Sequence, residues 1–404
     1  MPAGRVFLVL SVVGAGAMAM LSTTSGLFLI AEVGLSPLQL VLVGSVLEAT
    51  VLVFEVPTGV VADMVSRRRS VLIGLALTGA GFCIYAVPVY AVILLAQVVW
   101  GLGATFVSGA SVAWLMDEVG EDEGRPLLLQ AANRGQAAAL VGIVLGVGFG
   151  AVALWLPLLL GGVAFLALTA WLAVVMPEDG FVRPERVEGA SSAMATLRSA
   201  REAARRRPVI WAVLAVAVLH GMSTEGFDRL WELRLLEAID LPEVGALGVV
   251  PWFGGLRMAG IAVAVVLTRR VRRTVDAADP VAVARALVAV TVLLVVAMAG
   301  YGLAGLLPLA LGCHLAVTAL RMVHGPLTTA WLNAGLDRRS RATVNSVAQQ
   351  ADALGQVGAG PALGWLAAAR SVSTALVVAA AAQLPSIPVL GRAGRRESAP
   401  SVTA

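Results

Sequence analysis

The chain has 404 residues, of which 59% are hydrophobic and 13% charged, and its mean hydropathy is +0.88. A soluble domain carries about 25% charged residues, so a water-soluble enzyme or nucleic-acid binder is excluded and an integral membrane protein is implied. The net charge of +4 rests on 29 basic residues, all of them arginine, which leaves no Schiff-base or P-loop lysine chemistry. Most of these arginines flank apolar runs, where attraction to anionic lipid head groups accounts for them, and no nucleic-acid partner is expected.

About 20 apolar residues cross the hydrocarbon core as a helix. Runs of that kind are predicted at 6–31, 38–62, 70–88, 89–116, 129–153, 154–176, 208–236, 245–268, 281–303, 306–335, 341–368 and 371–392. Twelve helices follow, in an all-α membrane fold. Pro88, Pro157 and Pro308 mark tight turns within the longer apolar stretches. The first run follows Arg5 and is too long for a cleavable signal core, so it is expected to stay in the mature protein. Cys83 and Cys313 each lie inside an apolar run, without metal-ligand or disulfide spacing. No metal, cofactor or catalytic set is expected.

Of the 29 arginines, 22 fall in segments that lie on one side if the spans alternate. Positive loops are retained in the cytoplasm, which places both termini there, in a plasma (inner) membrane. Residues 177–207 are the one long polar segment. They divide the chain into a first bundle at 1–176, a cytoplasmic linker at 177–207, a second bundle at 208–392 and a disordered tail at 393–404. Residues 191–207 suit either a basic amphipathic helix on the inner leaflet or a solvated linker. A shift of 216 residues lays Arg125 on Arg341, Asn133 on Gln349, Arg134 on Gln350 and Gly142 on Gly358, a weak internal repeat of the kind that transporters carry.

Ionisable residues within the spans are the functional candidates, because each costs about 2.5–3.5 kcal/mol at the bilayer centre on insertion scales. Glu48 and Glu55 lie seven apart on one face of the second span. The seventh carries Glu225, Asp228, Arg229 and Glu232, with Glu225 and Arg229 spaced to pair on one helix. Arg257, His314, Arg321, His324 and Asp352 follow. Glu48, Glu55, Glu225, Asp228 and Asp352 are the proton-coupling candidates, and interhelical salt bridges that lock the bundle are the competing account. His220, His314 and His324 could relay protons near neutral pH or serve as hydrogen-bonded packing residues.

The stretch Gly59-Val-Val-Ala-Asp63-Met-Val-Ser-Arg67-Arg68-Arg69 lies between the second and third spans. It resembles the signature loop of the major facilitator superfamily. The twelve spans and the six-plus-six division extend that resemblance over essentially the whole chain. It implies a small-molecule transporter that works by alternating access, as a monomer. It also implies a conformational latch of Gly59, Asp63, Arg67, Arg68 and Arg69 with Asp117. Carried onto this chain, the cavity-lining helices of that family would contribute Thr23, Thr24, Ser25, Ser108, Ser111, Trp114, Glu225, Arg321 and His324.

A looser resemblance rests on Glu55-x-Pro57-Thr58-Gly59, on Ser108-Gly109-Ala110 and on Ala113-Trp114-x-x-Asp117-Glu118. It points to bacterial multidrug or macrolide-type efflux proteins, and so to a proton antiporter that exports an amphiphilic small molecule. Two positions depart from that pattern. Gln97 stands where proton-driven exporters carry an arginine, and Val147 stands where the antiporter motif has proline. Import of a metabolite such as a sugar or an organic acid is the alternative, with a non-transporting receptor or a lipid scramblase ranked below it.

Overall fold

The computed structural model describes residues 1–182, 208–276, 278–334 and 338–397, with side chains throughout except at 208, 209, 338–343, 396 and 397. The expected amphipathic stretch at 191–207 and the final seven residues lie outside the described residues. Helices dominate: α1 (Ala3–Ser22), α2 (Pro37–Met64), α3 (Arg67–Tyr85), α4 (Tyr90–Val107), α5 (Ala110–Gly150), α6 (Leu156–Val175), α7 (Pro208–Ala238), α8 (Val250–Thr274), α9 (Pro280–Leu303), α10 (Leu307–Asn333), α11 (Arg338–Ala369), α12 (Val372–Ala382) and α13 (Ser386–Glu397).

Among the described residues, nine helical stretches are long and apolar enough to cross a membrane. One of them, Tyr90–Gly150, is 61 residues long, enough for two crossings at 1.5 Å per residue. The helices α3, which opens on three arginines, and α11, which carries a polar face, fall outside that set. The arrangement is consistent with twelve crossings. Apolar side chains face outward as well as inward: Val53, Val141, Val266 and Val296 are each at least 60% exposed. A soluble protein would not present such a surface, whereas lipid solvates it.

Three details depart from the predicted spans. The fourth span ends at Val107, where Gly109 takes a positive φ of 70° that only glycine adopts without strain. The polar stretch from Asp117 to Arg125 stays in the same helix as the fifth span, with one kink at Gly120 (φ 77°, ψ 168°). The last helical segment runs to Glu397, after a break between Ala382 and Ser386.

The chain forms two compact units. The first comprises Met1–Leu35, Val46–Gly189 and Leu241–Arg257, and the second Ser36–Ser45, Ala190–Asp240 and Met258–Ala404. In the first unit α1 crosses α5 at glycine. A Cβ on Gly142 would strike the Gly16 carbonyl, and one on Gly146 or Gly150 would press on Thr23 or Thr24. In the same unit α3 meets α4 where Gly74 faces Gly103, and meets α6 where Gly79 faces Gly162. Backbones this close gain dispersion contacts and weak Cα–H···O bonds, the main source of helix association in lipid.

The second unit repeats the pattern. There α7 crosses α11, with Gly355 against the Val218 carbonyl and Gly221 against the Asp352 carbonyl. The crossing thus uses Gly355. Gly358, which the 216-residue shift pairs with Gly142, has no atom within 4 Å of where a Cβ would stand. The offset is three residues, just under one turn, because the internal match follows residue identities while the crossing follows the helix face. Also in this unit, α9 packs on α12 through Gly302 and Leu376, and on α13 where Gly394 faces Ala284.

Candidate functional site

The arginine-rich turn of the first unit is built from its cap upward. Ser66 is extended (ψ 124°) and its hydroxyl accepts the Arg69 amide at 2.9 Å, so it starts α3 as an N-cap. The same hydroxyl donates to both carboxylate oxygens of Glu178 at 2.8 and 2.7 Å, and the Arg68 amide donates to Glu178 at 2.9 Å. A negative charge at a helix N-terminus is stabilised by the orphan N–H groups there. Arg67 turns the other way. Its guanidinium pairs with Asp117, donates to the Ala113 carbonyl at 3.0 Å and lies 3.6 Å from Asp63. Arg68 reaches the Ala173 carbonyl at 2.5 Å, while Arg69 is exposed. Gly59 has open space where a Cβ would stand.

The segment after α6 lies over this cluster as a strap. The Trp114 indole N–H donates to the Pro177 carbonyl at 2.8 Å, and the Gly180 amide donates to Glu118 at 2.8 Å. The Arg67 guanidinium sits 6.0 Å from the Phe181 ring centroid, within reach of a cation–π contact. Gly180 rests on the Asp117 carbonyl, where any side chain would collide. Ser66, Glu178 and Gly180 were not among the predicted site residues. A serine ahead of α3 is a readable N-cap signal, but nothing local says that Glu178, 112 residues away, completes it.

Elsewhere in the first unit, Thr23 and Thr24 are fully buried at the end of α1. Thr23 donates to the Ala19 carbonyl at 2.7 Å and Ser25 to the Ser22 carbonyl at 3.4 Å. The Thr24 hydroxyl has no partner among the described residues. Ser108 donates to Glu55 at 2.9 Å, which ties the start of the break after α4 to α2. Ser111 and Glu48 are half-buried, and Trp114 is 1% exposed. Gln97, at the departure from the exporter pattern, is buried on α4.

The second unit gathers the other candidates on α7, α10 and α11. Arg321 forks onto Asp228 with bonds of 2.5 and 2.8 Å, a bidentate pair. Glu225, 1% exposed, pairs with Arg229 at 3.3 Å one turn along, as their spacing suggested. Gly44 lies against this pair, and a Cβ there would collide with both side chains. His220 and His324 stack with ring centroids 4.5 Å apart and planes 12° apart. Gln383 approaches His220 Nδ1 at 3.4 Å, and His324 Nε2 has no partner among the described residues. Asp352 accepts from Gln356 at 2.8 Å and acts electrostatically on Arg321. His314 sits among Trp231, Phe227 and Tyr301 at 4.3, 6.0 and 5.9 Å between centroids.

Among the described residues, each unit carries a charged assembly. An arginine–carboxylate cluster caps α3 in the first, and acids, arginines and histidines gather on α7, α10 and α11 in the second. Nothing in either arrangement resembles a nucleophile with its base.

The chain is 24% identical over 350 residues to the uncharacterized MFS-type transporter YxaM of Bacillus subtilis (strain 168), covering 85% of this chain and 84% of that one. Among solved structures, it is similar in fold to the nucleoside transporter NupG, with a TM-score of 0.75, 11% identity and coverage of 97% and 99% of the two chains. It is also similar to a bacterial homolog of the human lysosomal transporter Spinster, with a TM-score of 0.75, 11% identity and coverage of 97% and 96%. At these identities the two structures speak for the fold alone. The family model described as Major Facilitator Superfamily matches residues 7–361, and the chain belongs to that superfamily of multi-pass membrane transporters.

Proposed function

We propose that the protein is a proton-driven exporter of an amphiphilic small molecule, with both termini in the cytoplasm and the substrate site among the polar residues of its spans. One observation carries the coupling: the second unit concentrates Glu225, Arg229, Asp228 and Arg321 beside the stacked His220 and His324. Charges in a hydrocarbon region persist when paired or when they serve transport. Protonation of Asp228 or Glu225 would release its arginine and change the net charge of the set, which is what a coupling site must do. Protonation biases two conformations only if they bind the proton with different affinity.

In this reading the Arg67–Asp117–Asp63 cluster holds one conformation until it is outcompeted, and Arg68 and Glu178 keep the turn rigid. Thr23, Thr24, Ser25, Ser108, Ser111 and Trp114 supply or support the cavity wall of the first bundle, and Arg321 and His324 that of the second. Glu48, Glu55 and Asp352 stand as secondary proton sites. The bundles comprise 1–176 and 208–392, joined by the polar segment between them, and the protein acts as a monomer.

The experiment is transport into inverted membrane vesicles energised with an acidic interior, with a fluorescent amphiphilic cation as probe. Accumulation that collapses with a protonophore is expected. Accumulation indifferent to the proton gradient would overturn the coupling, and gradient-driven movement in the opposite direction would overturn export.

A further inference from the structure

A groove of about 740 Å³ runs along the first unit between α1, α5 and α6, and the transport reading above does not use it. Its walls are apolar, with Val12, Val13, Met20, Val141 and Leu145 among them. Its floor is backbone against backbone, because Gly142 meets the Gly16 carbonyl there. One charge enters it: Arg134, on α5. Arg134 is exposed and makes no ion pair or hydrogen bond among the described residues.

Depth along the helix identifies what such a groove can hold. From Arg134 to Gly150, the outer end of α5, the helix climbs about 24 Å at 1.5 Å per residue. The hydrocarbon core is about 30 Å thick, so Arg134 stands just inside its arginine-rich boundary. A long guanidinium side chain at that level extends to the head-group layer. From Arg134 to Leu145 the groove covers about 16 Å, close to one leaflet of that core. The site thus offers a cation at head-group level and an apolar channel one leaflet long leading away from it.

We infer that this groove seats one acyl chain of a bilayer phospholipid whose phosphate rests on the Arg134 guanidinium. Charge complementarity selects the phosphate, because guanidinium binds it through two parallel N–H···O bonds. The length and apolarity of the groove select a single chain. Small residues along α1 and α5 leave the chain a smooth bed, and the lipid supplies the counter-charge that Arg134 lacks within the described protein. The inference does not depend on export or on proton coupling; it uses only the membrane-spanning course of α5.

The full-length protein, reconstituted in vesicles of phosphatidylglycerol and phosphatidylethanolamine and then released into mild detergent, is to be examined by native mass spectrometry. One retained phospholipid per chain is expected. Its occupancy should fall about tenfold in Arg134→Gln, as for the loss of one charge-assisted contact, and stay near wild type in Arg134→Lys. Val141→Trp, which fills the groove at an exposed position, should expel the lipid while leaving Arg134 in place. Size-exclusion elution and helical circular dichroism identify any variant that fails to fold. A wild-type chain without bound phospholipid, or equal retention in wild type, Arg134→Gln and Val141→Trp, overturns the inference. So does stoichiometric capture of added laurate in place of phospholipid, which would make the groove a path for soluble amphiphiles.

Discussion

Glu178 and Ser66 are joined across 112 residues by a hydroxyl that donates to both carboxylate oxygens, at 2.8 and 2.7 Å. This bond fastens the segment leaving the sixth helix to the cap of the third. The arginine-rich turn is thereby closed by the start of the polar segment that follows α6, so the motif between α2 and α3 is complete only when residues 177–181 lie over it.

Removing that carboxylate should loosen the turn. Glu178→Ala is expected to cost about 1–2 kcal/mol, the range for a lost cap and a charge-assisted hydrogen bond. Hydrogen exchange at the Arg68 and Arg69 amides should accelerate, while exchange in α12 stays unchanged. Unaltered protection at both amides would show that Ser66 caps the helix unaided.

The two acids facing Arg67 should differ in weight. Asp117 pairs with it directly and is 26% exposed, whereas Asp63 lies 3.6 Å away and is 62% exposed. Exposed pairs contribute about 0–1 kcal/mol, so Asp63→Asn should shift the thermal midpoint little. Asp117→Asn strands a half-buried arginine and should destabilise by about 1–3 kcal/mol. Thermal unfolding in detergent, with both variants in parallel, checks the order. A larger loss for Asp63→Asn would reverse it.

Trp114 offers a graded test. It is 1% exposed and its N–H is satisfied by the Pro177 carbonyl. Trp114→Phe keeps most of the volume and should cost about 1 kcal/mol for the hydrogen bond, whereas Trp114→Ala leaves a cavity worth about 3–5 kcal/mol. Equal melting temperatures for the two would mean that the indole contributes no packing.

Glycines on one helix should separate sharply. Gly142→Val drives a side chain into the Gly16 carbonyl and should abolish folding, while Gly148→Ala meets nothing within 4 Å and should be neutral or slightly stabilising. Expression and monodispersity on size exclusion read the difference. A well-behaved Gly142→Val protein would refute the α1–α5 crossing.

The bridge between α7 and α10 should behave as a unit. Asp228→Asn leaves Arg321 without its bidentate partner, at a cost of about 1–2 kcal/mol for a charge-assisted pair that is 29% and 42% exposed at its two side chains. Adding Arg321→Gln should restore part of the stability, because the stranded charge is then gone. Transport should remain lost in the double variant if this pair couples to protons. Full transport in either single variant would remove the pair from the mechanism.

Much of this protein is legible from residue order alone. Long apolar runs broken by prolines place the crossings, since lipid forces every backbone group to bond within its own helix. The i, i+4 spacing of Glu225 and Arg229 predicted their pair, because one turn of helix sets that distance. The Gly59–Arg69 motif pointed to the superfamily to which the chain belongs. These are local or periodic features, and helix geometry converts them directly into positions.

The rest depended on which helix faces meet. Asp228 rather than Asp352 became the direct partner of Arg321. Gly355 rather than Gly358 formed the close crossing of α7 with α11. Glu178 rather than any nearby acid completed the cap at Ser66. Each is a choice among chemically equivalent residues within a turn or two of one another, or far apart along the chain. Composition and spacing cannot rank them, because the deciding quantity is the rotation of one helix against another. That rotation is set by the sum of many close backbone contacts. In this chain residue order determined the all-helical, membrane-spanning class, and tertiary packing decided which of the helices' charges meet.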